Sequence, residues 1–117
     1  MIDIAKLASK KGIKTVFISN GYINEEPLNE LCKYISAASI NLKSFKDSIY
    51  KDLNKGSLQP VLNTLKTLKD NNIWTEIINL IIPTWTDDMD MIQEMCKWLV
   101  EWFFGFPTSF FTFFTHV

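Results

Sequence analysis

The chain has 117 residues, a hydrophobic content of 47%, a charged content of 21% and a formal net charge of −1. A chain of this length forms one domain or part of one, and its composition supports a core and excludes intrinsic disorder. The near-neutral charge argues against nucleic acid as a main partner, because binding phosphates requires a basic surface.

The cysteines and the residues near the two chain ends bear on the cellular compartment in which the protein is expected. Cys32 and Cys96 lie far apart in predicted helices, so we expect no disulfide framework and a reducing, cytoplasmic setting. The residues after Met1 lack the basic lead and long apolar run of a signal peptide. The uncharged run that begins at Trp102 is shorter than the roughly 20 residues that span a bilayer, and Pro107 interrupts it, so a membrane protein is not expected.

Hydrophobic periodicity and turn residues predict five helices and four strands in the order αβαβααβαβ. In the first helix, Ile4, Leu7 and Ala8 share one face. The expected elements are a helix over 2–11, a strand over 14–19, a helix capped by Asn24, a strand over 37–42, a short helix through 49–53, a helix capped by Ser57, a strand within 73–83, a helix spanning 91–100 and a strand over 110–114.

Residues 73–83 are rich in β-branched and aromatic side chains and end at Pro83. This composition is typical of a strand that is mostly buried on both faces of a parallel sheet. Glu76 lies within this apolar strand and needs a partner, and both a lysine inside a barrel and an exposed sheet edge would meet that need. The loop over 84–88 follows the carboxyl end of the strand, where parallel α/β folds bind ligands.

The pattern therefore predicts an α/β fold with a mostly parallel sheet. Three well-supported strands are too few to close a barrel, and the chain opens in the middle of a βα unit. We interpret it as the later part of a larger α/β barrel. Such a piece leaves unpaired strand edges, which favour association with another chain.

Four segments, in register and with consistent spacing, resemble one family. They read GIKTVFISNGY over 12–22, INLKSF over 40–45, GSLQPVL over 56–62 and EIINLIIPTWTD over 76–87. Together they resemble the radical S-adenosylmethionine enzymes of the pyruvate formate-lyase-activating type, and most of all the AmmeMemoRadiSam branch. The resemblance covers about residues 5–100.

The resemblance implies a (β/α)6 partial barrel of the TIM type. In that family a [4Fe-4S] cluster reductively cleaves S-adenosylmethionine to a 5′-deoxyadenosyl radical. Residues 1–101 would form the later part of the barrel. Residues 102–117 would be an aromatic tail, either a last strand or an end that is not native to the family.

The resemblance also implies four cofactor-binding residues: Asn20, Asn41, Leu42 and Lys43. Ser19-Asn20-Gly21 matches the family's Thr-Asn-Gly, and Asn41-Leu42-Lys43 matches an Asp-Leu-Lys that contacts S-adenosylmethionine. The lysine is kept, whereas the acid is replaced by an amide that can only form hydrogen bonds. Outside the motif, Lys43 has the character of a solvated surface lysine. If the family assignment holds, Lys43, Asn20 and the loop over 84–87 meet at one mouth of the barrel.

The family's Cys-x3-Cys-x2-Cys loop and its Gly-Gly-Glu type motif are absent from this sequence. Cys32 and Cys96 cannot replace the loop, because a cluster needs three or four converging thiolates. We therefore assign no catalytic residue and no metal ligand, and expect the isolated chain to be inactive.

Three functions are compatible with these observations. The first is a fragment of a radical S-adenosylmethionine, iron-sulfur enzyme that keeps part of the cofactor site. The second is a non-catalytic α/β interaction module that pairs with the missing N-terminal half or with another chain. A membrane-surface protein anchored by Trp98, Trp102 and the aromatic tail ranks last, because no basic face accompanies these residues.

Overall fold

The computed structural model describes residues 1–103 and 109–115, with residues 53, 54, 103 and 109–115 described by their backbone alone. Helices and strands follow one another in the order that the sequence predicts, which confirms the α/β class. The elements are α1 (Ile2–Lys10), β1 (Val16–Ser19), α2 (Glu25–Cys32), β2 (Ala37–Asn41), α3 (Asp47–Asn54), α4 (Gln59–Asp70), β3 (Trp74–Ile81), α5 (Met89–Phe103) and β4 (Ser109–Thr115).

The described strands form one sheet in the order β1-β2-β3-β4, and every neighbouring pair is parallel. Ser19 is in register with Ile40, and Asn41 is in register with Ile78. Parallel pairing places the carboxyl ends of the strands at one edge of the sheet. The loops after β1, β2 and β3 therefore leave the sheet on the same side.

One face of the sheet is covered by helices and forms the core. Side chains alternate between the two faces of a strand, so every second residue of β1, β2 and β3 points toward the helices. Burying one large aliphatic side chain contributes roughly 1.5–3 kcal/mol. The central core residues are Phe17, Ala38, Ile40, Leu42 and Ile77 from the sheet and its ends, and Leu28, Leu31, Val61, Leu65 and Leu68 from α2 and α4.

The opposite face is open, so the prediction that the strand at 73–83 is buried on both faces is wrong. Trp74 and Leu80 of β3 are 43% and 41% exposed, and Ile18 of β1 is 73% exposed. The first helix also differs from the prediction, because Ile4 and Leu7 are exposed and Ala5 is the buried residue. Periodicity identifies the apolar faces, but it does not show which of them the rest of the chain covers.

Helix α5 is held against α4 by aromatic and cationic side chains. The ring of Trp98 lies 6.0 Å from that of Phe45 and 6.0 Å from that of Trp102. The ammonium groups of Lys66 and Lys69 lie 4.6 Å and 5.3 Å from the centre of the Trp102 ring. The two tryptophans thus contribute to packing between helices. Within the described part of the chain, no helix has the length and apolar character needed to cross a membrane.

The N-termini of α5 and α4 are capped in different ways. Asp88 caps α5, since its Oδ1 accepts the N–H groups of Asp90 and Met91 at 3.0 and 3.4 Å. Ser57 does not cap α4. The N–H of Leu58 instead donates to Oδ1 of Asp47 at 3.0 Å, and this bond is the first cause of the lowered pKa of Asp47.

Two glycines with positive φ give a matched test of the packing around the first loop. Gly21 has φ +84°, and a Cβ there would lie 2.9 Å from Val61 Cγ1 and 3.3 Å from Ile40 Cγ2. Gly12 has φ +72°, but a Cβ there would meet no atom within 4 Å. Gly12 therefore carries the conformational constraint without the steric one.

We expect Gly12→Ala to lower the free energy of unfolding by about 1–2 kcal/mol through left-handed backbone strain. Gly21→Ala should lower it by a further ~1–3 kcal/mol, because the added methyl group overpacks the contact with α4. Urea denaturation of the two variants and the wild type measures both effects. Equal losses in the two variants would contradict the close approach of Gly21 to Val61.

Candidate functional site

A cavity of about 320 Å³ lies at the carboxyl ends of β1 and β2. Three segments surround it: the loop after β1, the loop after β2, and the turn between α3 and α4. Two of the four predicted site residues, Asn20 and Lys43, line it together. The described residues that line it are Asn20, Tyr22, Lys43, Tyr50, Lys55 and Gly56.

The loop after β1 is fixed by its own side chains and by α4. Ser19 Oγ accepts the N–H of Gly21 at 3.0 Å, and Asn20 Oδ1 accepts the N–H of Tyr22 at 3.0 Å. The hydroxyl of Thr64 on α4 donates to the carbonyl of Gly21 at 2.6 Å. These bonds hold the side chain of Asn20 in an Asx turn beside the cavity.

The backbone around Lys43 is held by two buried side chains. The N–H of Lys43 donates to the hydroxyl oxygen of Tyr50 at 2.9 Å, and Nδ2 of Asn79 donates to the carbonyl of Leu42 at 2.7 Å. The N–H of Leu42 also continues the sheet by donating to the carbonyl of Ile78 at 2.9 Å. The peptide groups on both sides of Leu42 are therefore fixed before the Lys43 side chain leaves the sheet.

The other two predicted residues lie elsewhere. The side chain of Leu42 is fully buried on the helix-covered face, so this residue offers a ligand only its backbone. Asn41 ends β2 in register with Ile78 and is half-buried on the open face. Neither residue lines the cavity that contains Asn20 and Lys43. Their roles toward a cofactor remain predictions.

The loop after β3 joins the loop after β2 at the same edge. Lys46 Nζ forms an ion pair with Asp88 Oδ2 at 2.6 Å, and Ser44 Oγ contacts Met91 Sδ at 3.1 Å. The hydroxyl of Thr86 closes the loop after β3 by donating to the carbonyl of Leu80 at 2.9 Å. The three loops thus meet at one edge, as the parallel topology predicts.

The sheet also supplies a partner for the unusual acid of β3. The hydroxyl of Ser39 donates to Oε2 of Glu76 at 3.1 Å, and the two residues are in register on neighbouring strands. Glu76 lies on the open face of the sheet, where the hydroxyl of Ser39 on β2 is one of its partners.

The titratable groups of the core are electrically neutral at physiological pH. Burial is the main cause that raises the pKa of Tyr50 to about 12, against the opposing effect of the N–H groups of Lys43 and Ser44. Burial also raises the pKa of the thiols of Cys32 and Cys96, which lie in α2 and α5 as free cysteines. Neither thiol is activated as a thiolate ligand.

The site fits the two cofactors of the family to different degrees. The cavity at the strand ends offers cationic and amide side chains to a polar small molecule such as S-adenosylmethionine. The cluster does not fit, because no three His, Cys, Asp or Glu side chains converge on a possible metal position among the described residues.

The sequence motifs do not single out Tyr50 and Lys55 as lining residues. Tyr50 falls within the predicted short helix over 49–53, and Lys55 lies between that helix and the next predicted helix. A signal was present, since the helix that contains Tyr50 follows the Lys43 motif directly and ends at Lys55-Gly56. Lys55 has φ 56° and ψ 31°, a left-handed conformation that turns the chain back toward the first loop.

A family model described as the radical SAM superfamily matches residues 1–99 of the chain. The chain belongs to the radical SAM superfamily. An uncharacterized protein of Methanocaldococcus jannaschii is 41% identical over 90 residues, which are 77% of this chain and 26% of that protein. The pyruvate formate-lyase 1-activating enzyme of Escherichia coli K12 is 28% identical over 95 residues, which are 80% of this chain and 39% of the enzyme.

The fold of this radical SAM chain is also found in a solved structure. The crystal structure of a domain of pyruvate-formate lyase-activating enzyme from Bacteroides vulgatus aligns with a TM-score of 0.80 at 18% sequence identity. The alignment covers 86% of this chain and 63% of that domain. The resemblance to activating enzymes and the partial-barrel fold are therefore confirmed. The assignment to the AmmeMemoRadiSam branch stays a prediction.

The link between the loops after β2 and β3 gives a pH-dependent prediction. The hydrogen bond from Lys46 is the first cause that lowers the pKa of Asp88 below its ordinary value of 3.8, followed by the N–H groups of Met91 and Asp90. A carboxyl whose pKa is lower in the folded chain stabilises the fold above its unfolded pKa, and this stabilisation is lost as the pH falls through the folded pKa.

We expect Asp88→Asn to remove this part of the pH dependence. The stability of the wild type should fall more steeply than that of the variant as the pH drops below about 4. Urea denaturation across the acid range measures the difference, and Asp87→Asn is the matched control because Asp87 accepts none of these bonds. Parallel acid profiles for wild type and Asp88→Asn would show that the pair does not hold the loops together.

Proposed function

We propose that this chain forms one side of the S-adenosylmethionine site in a radical SAM enzyme of the pyruvate formate-lyase-activating type. The observation that carries the proposal is that Asn20 and Lys43, from two separate motifs, line one cavity at the strand ends. The chain matches only 26% and 39% of the lengths of the two relatives, so the activity of a whole enzyme is part of the proposal.

Lys43 and Asn20 are the residues that would hold the polar part of the cofactor. The ammonium of Lys43 suits a carboxylate or a ribose oxygen, and the amide of Asn20 suits a neutral oxygen or nitrogen. Asn41 would add a hydrogen bond from the open face. Bound S-adenosylmethionine supplies the family with a 5′-deoxyadenosyl radical after reductive cleavage, and this chain's contribution is to bind and orient it.

The [4Fe-4S] cluster has to come from residues outside this chain. The two cysteines lie in different helices, Cys32 buried and Cys96 half-buried, and burial raises the pKa of both thiols. Their free state also supports a reducing, cytoplasmic setting. Affinity for S-adenosylmethionine should therefore be weak in the isolated chain, because much of the cofactor's contact surface is supplied elsewhere.

Calorimetric titration with S-adenosylmethionine tests the assignment of Lys43. We expect Lys43→Ala to weaken binding by about tenfold, the effect of losing a hydrogen bond to a charged group. Lys14→Ala is the matched control, because Lys14 precedes β1 at the opposite rim of the sheet. Tight binding that persists in Lys43→Ala would show that the cofactor uses another site.

The uncovered apolar surface next to β1 favours the second candidate function, an interaction module. A groove of about 330 Å³ runs between α1 and the outer edge of β1. Ile4 and Ile18 line it and are each 73% exposed, and Val16 and Met1 add further exposed apolar surface. An unpaired edge of a parallel sheet with apolar neighbours is suited to adding one more parallel strand.

The proposed occupant is a polypeptide that supplies a strand parallel to β1 and the cluster-binding cysteines. The coding sequence upstream of Met1 is the direct test. We expect a Cys-x3-Cys-x2-Cys segment there, in frame or as a neighbouring gene. Iron and sulfide reconstitution should then give [4Fe-4S] absorption and 5′-deoxyadenosine with both parts present and neither with this chain alone.

Two results would separate the candidates. A stable complex with another polypeptide that binds no S-adenosylmethionine would favour the non-catalytic module. Stoichiometric cluster incorporation by the isolated chain would overturn the requirement for a second part.

A further inference from the structure

The polar groups that line the cavity at the strand ends have their acceptor atoms engaged inside the protein. Asn20 Oδ1 accepts the N–H of Tyr22, which leaves the amide nitrogen of Asn20 as a donor for a ligand. The hydroxyl of Tyr22 contacts the backbone of Ser57, where it accepts the N–H and donates to the carbonyl at 2.7 Å. Each of these two oxygens therefore has one acceptor position engaged by the backbone.

Tyr50 has the same property. Its hydroxyl oxygen accepts the N–H of Lys43 at 2.9 Å and also interacts with the N–H of Ser44. A phenol oxygen has two acceptor positions and one proton to donate. With both acceptor positions used by the backbone, the proton is what Tyr50 contributes to the cavity it lines.

Two lysines, Lys43 and Lys55, are the remaining polar side chains of the lining in the part of the chain that the structure describes. Tyr50 fixes the backbone beside both of them, since its hydroxyl accepts the N–H of Lys43 and its carbonyl accepts the N–H of Gly56 at 3.0 Å. None of the described residues that line the cavity carries a carboxylate. The cavity thus presents two cations and hydrogen-bond donors, held in place by one buried residue.

We infer that this cavity binds an anionic group, a carboxylate or a phosphate, between Lys43 and Lys55, with Tyr50 and Asn20 donating to its oxygens. Charge-assisted hydrogen bonds of this kind are the strong ones in protein recognition. A volume of about 320 Å³ admits a small molecule that carries such a group. The inference assigns Tyr50 and Lys55, which belong to no predicted cofactor motif, to ligand binding.

The inference rests on the proposed function only for the source of the anion. If the chain binds S-adenosylmethionine, the anionic group is its carboxylate. The positive sulfonium and ammonium groups would then lie outside the cavity, because the described lining residues include two lysines and no carboxylate. A free phosphate compound is the other source with the same chemistry.

Calorimetry with three probes at low salt distinguishes these sources. The probes are S-adenosylmethionine, decarboxylated S-adenosylmethionine and inorganic phosphate. We expect Lys55→Ala to weaken S-adenosylmethionine binding by about tenfold and Tyr50→Phe to weaken it by a similar factor. Binding of the decarboxylated compound should be unchanged in Lys55→Ala. Added salt should weaken the binding of the carboxylate form, because the lysines are exposed to solvent screening.

Two controls separate binding from folding. Lys14→Ala removes one lysine from the opposite rim and should leave all three affinities unchanged. Lys55→Arg keeps the charge and should restore most of the affinity lost in Lys55→Ala. Circular dichroism and urea denaturation of each variant confirm that the fold is retained.

Three outcomes of these titrations bear on the anion site and on the proposed function. Phosphate binding that depends on Lys55, without S-adenosylmethionine binding, would support the anion site and contradict the proposed function. Equal binding of S-adenosylmethionine and its decarboxylated form, unaffected by Lys55→Ala, would support the proposed function and overturn the anion site. The absence of binding for both S-adenosylmethionine and phosphate would overturn both.

Discussion

One-sided burial of a parallel sheet determines the position of every other feature of this chain. The alternation of side chains along the strands directs Phe17, Ile40 and Ile77 into the helix-covered core and leaves Ile18 on the open face. Because the register is parallel, the same packing places the loops after β1 and β2 at one edge. The apolar core thus sets the location of the cavity, and Tyr50 belongs to both.

The connection between core and cavity runs through two buried polar side chains. Tyr50 and Asn79 are 2% and 0% exposed. The hydroxyl of Tyr50 accepts the N–H of Lys43, and the amide nitrogen of Asn79 donates to the carbonyl of Leu42. Oδ1 of Asn79 has no hydrogen-bond partner among the described residues, which costs about 1–3 kcal/mol for a buried acceptor. The amide of Asn79 therefore lowers the stability of the fold through its oxygen, while its nitrogen fixes the carbonyl of Leu42.

The features that depend on local sequence were predictable, and those that depend on distant neighbours were not. The order of the elements and the Asp88 cap follow from periodicity and from residues within one turn. The cap of α4 comes from Asp47, eleven positions before the N–H of Leu58 that it accepts. Asn20 and Lys43 were predicted because they end strands within motifs, whereas Tyr50 and Lys55 reach the cavity only through the packing of α3 and its following turn.

The hydroxyl of Tyr50 connects events in the cavity to the order of the neighbouring loop. When an O–H group donates a hydrogen bond, its oxygen becomes a stronger acceptor, so bonds in a chain reinforce one another. A ligand that accepts the proton of Tyr50 would strengthen the bond from the Lys43 N–H. Occupancy of the cavity and rigidity of the loop after β2 are then thermodynamically linked. The amide of Lys43 would exchange its hydrogen with solvent more slowly when the cavity is filled.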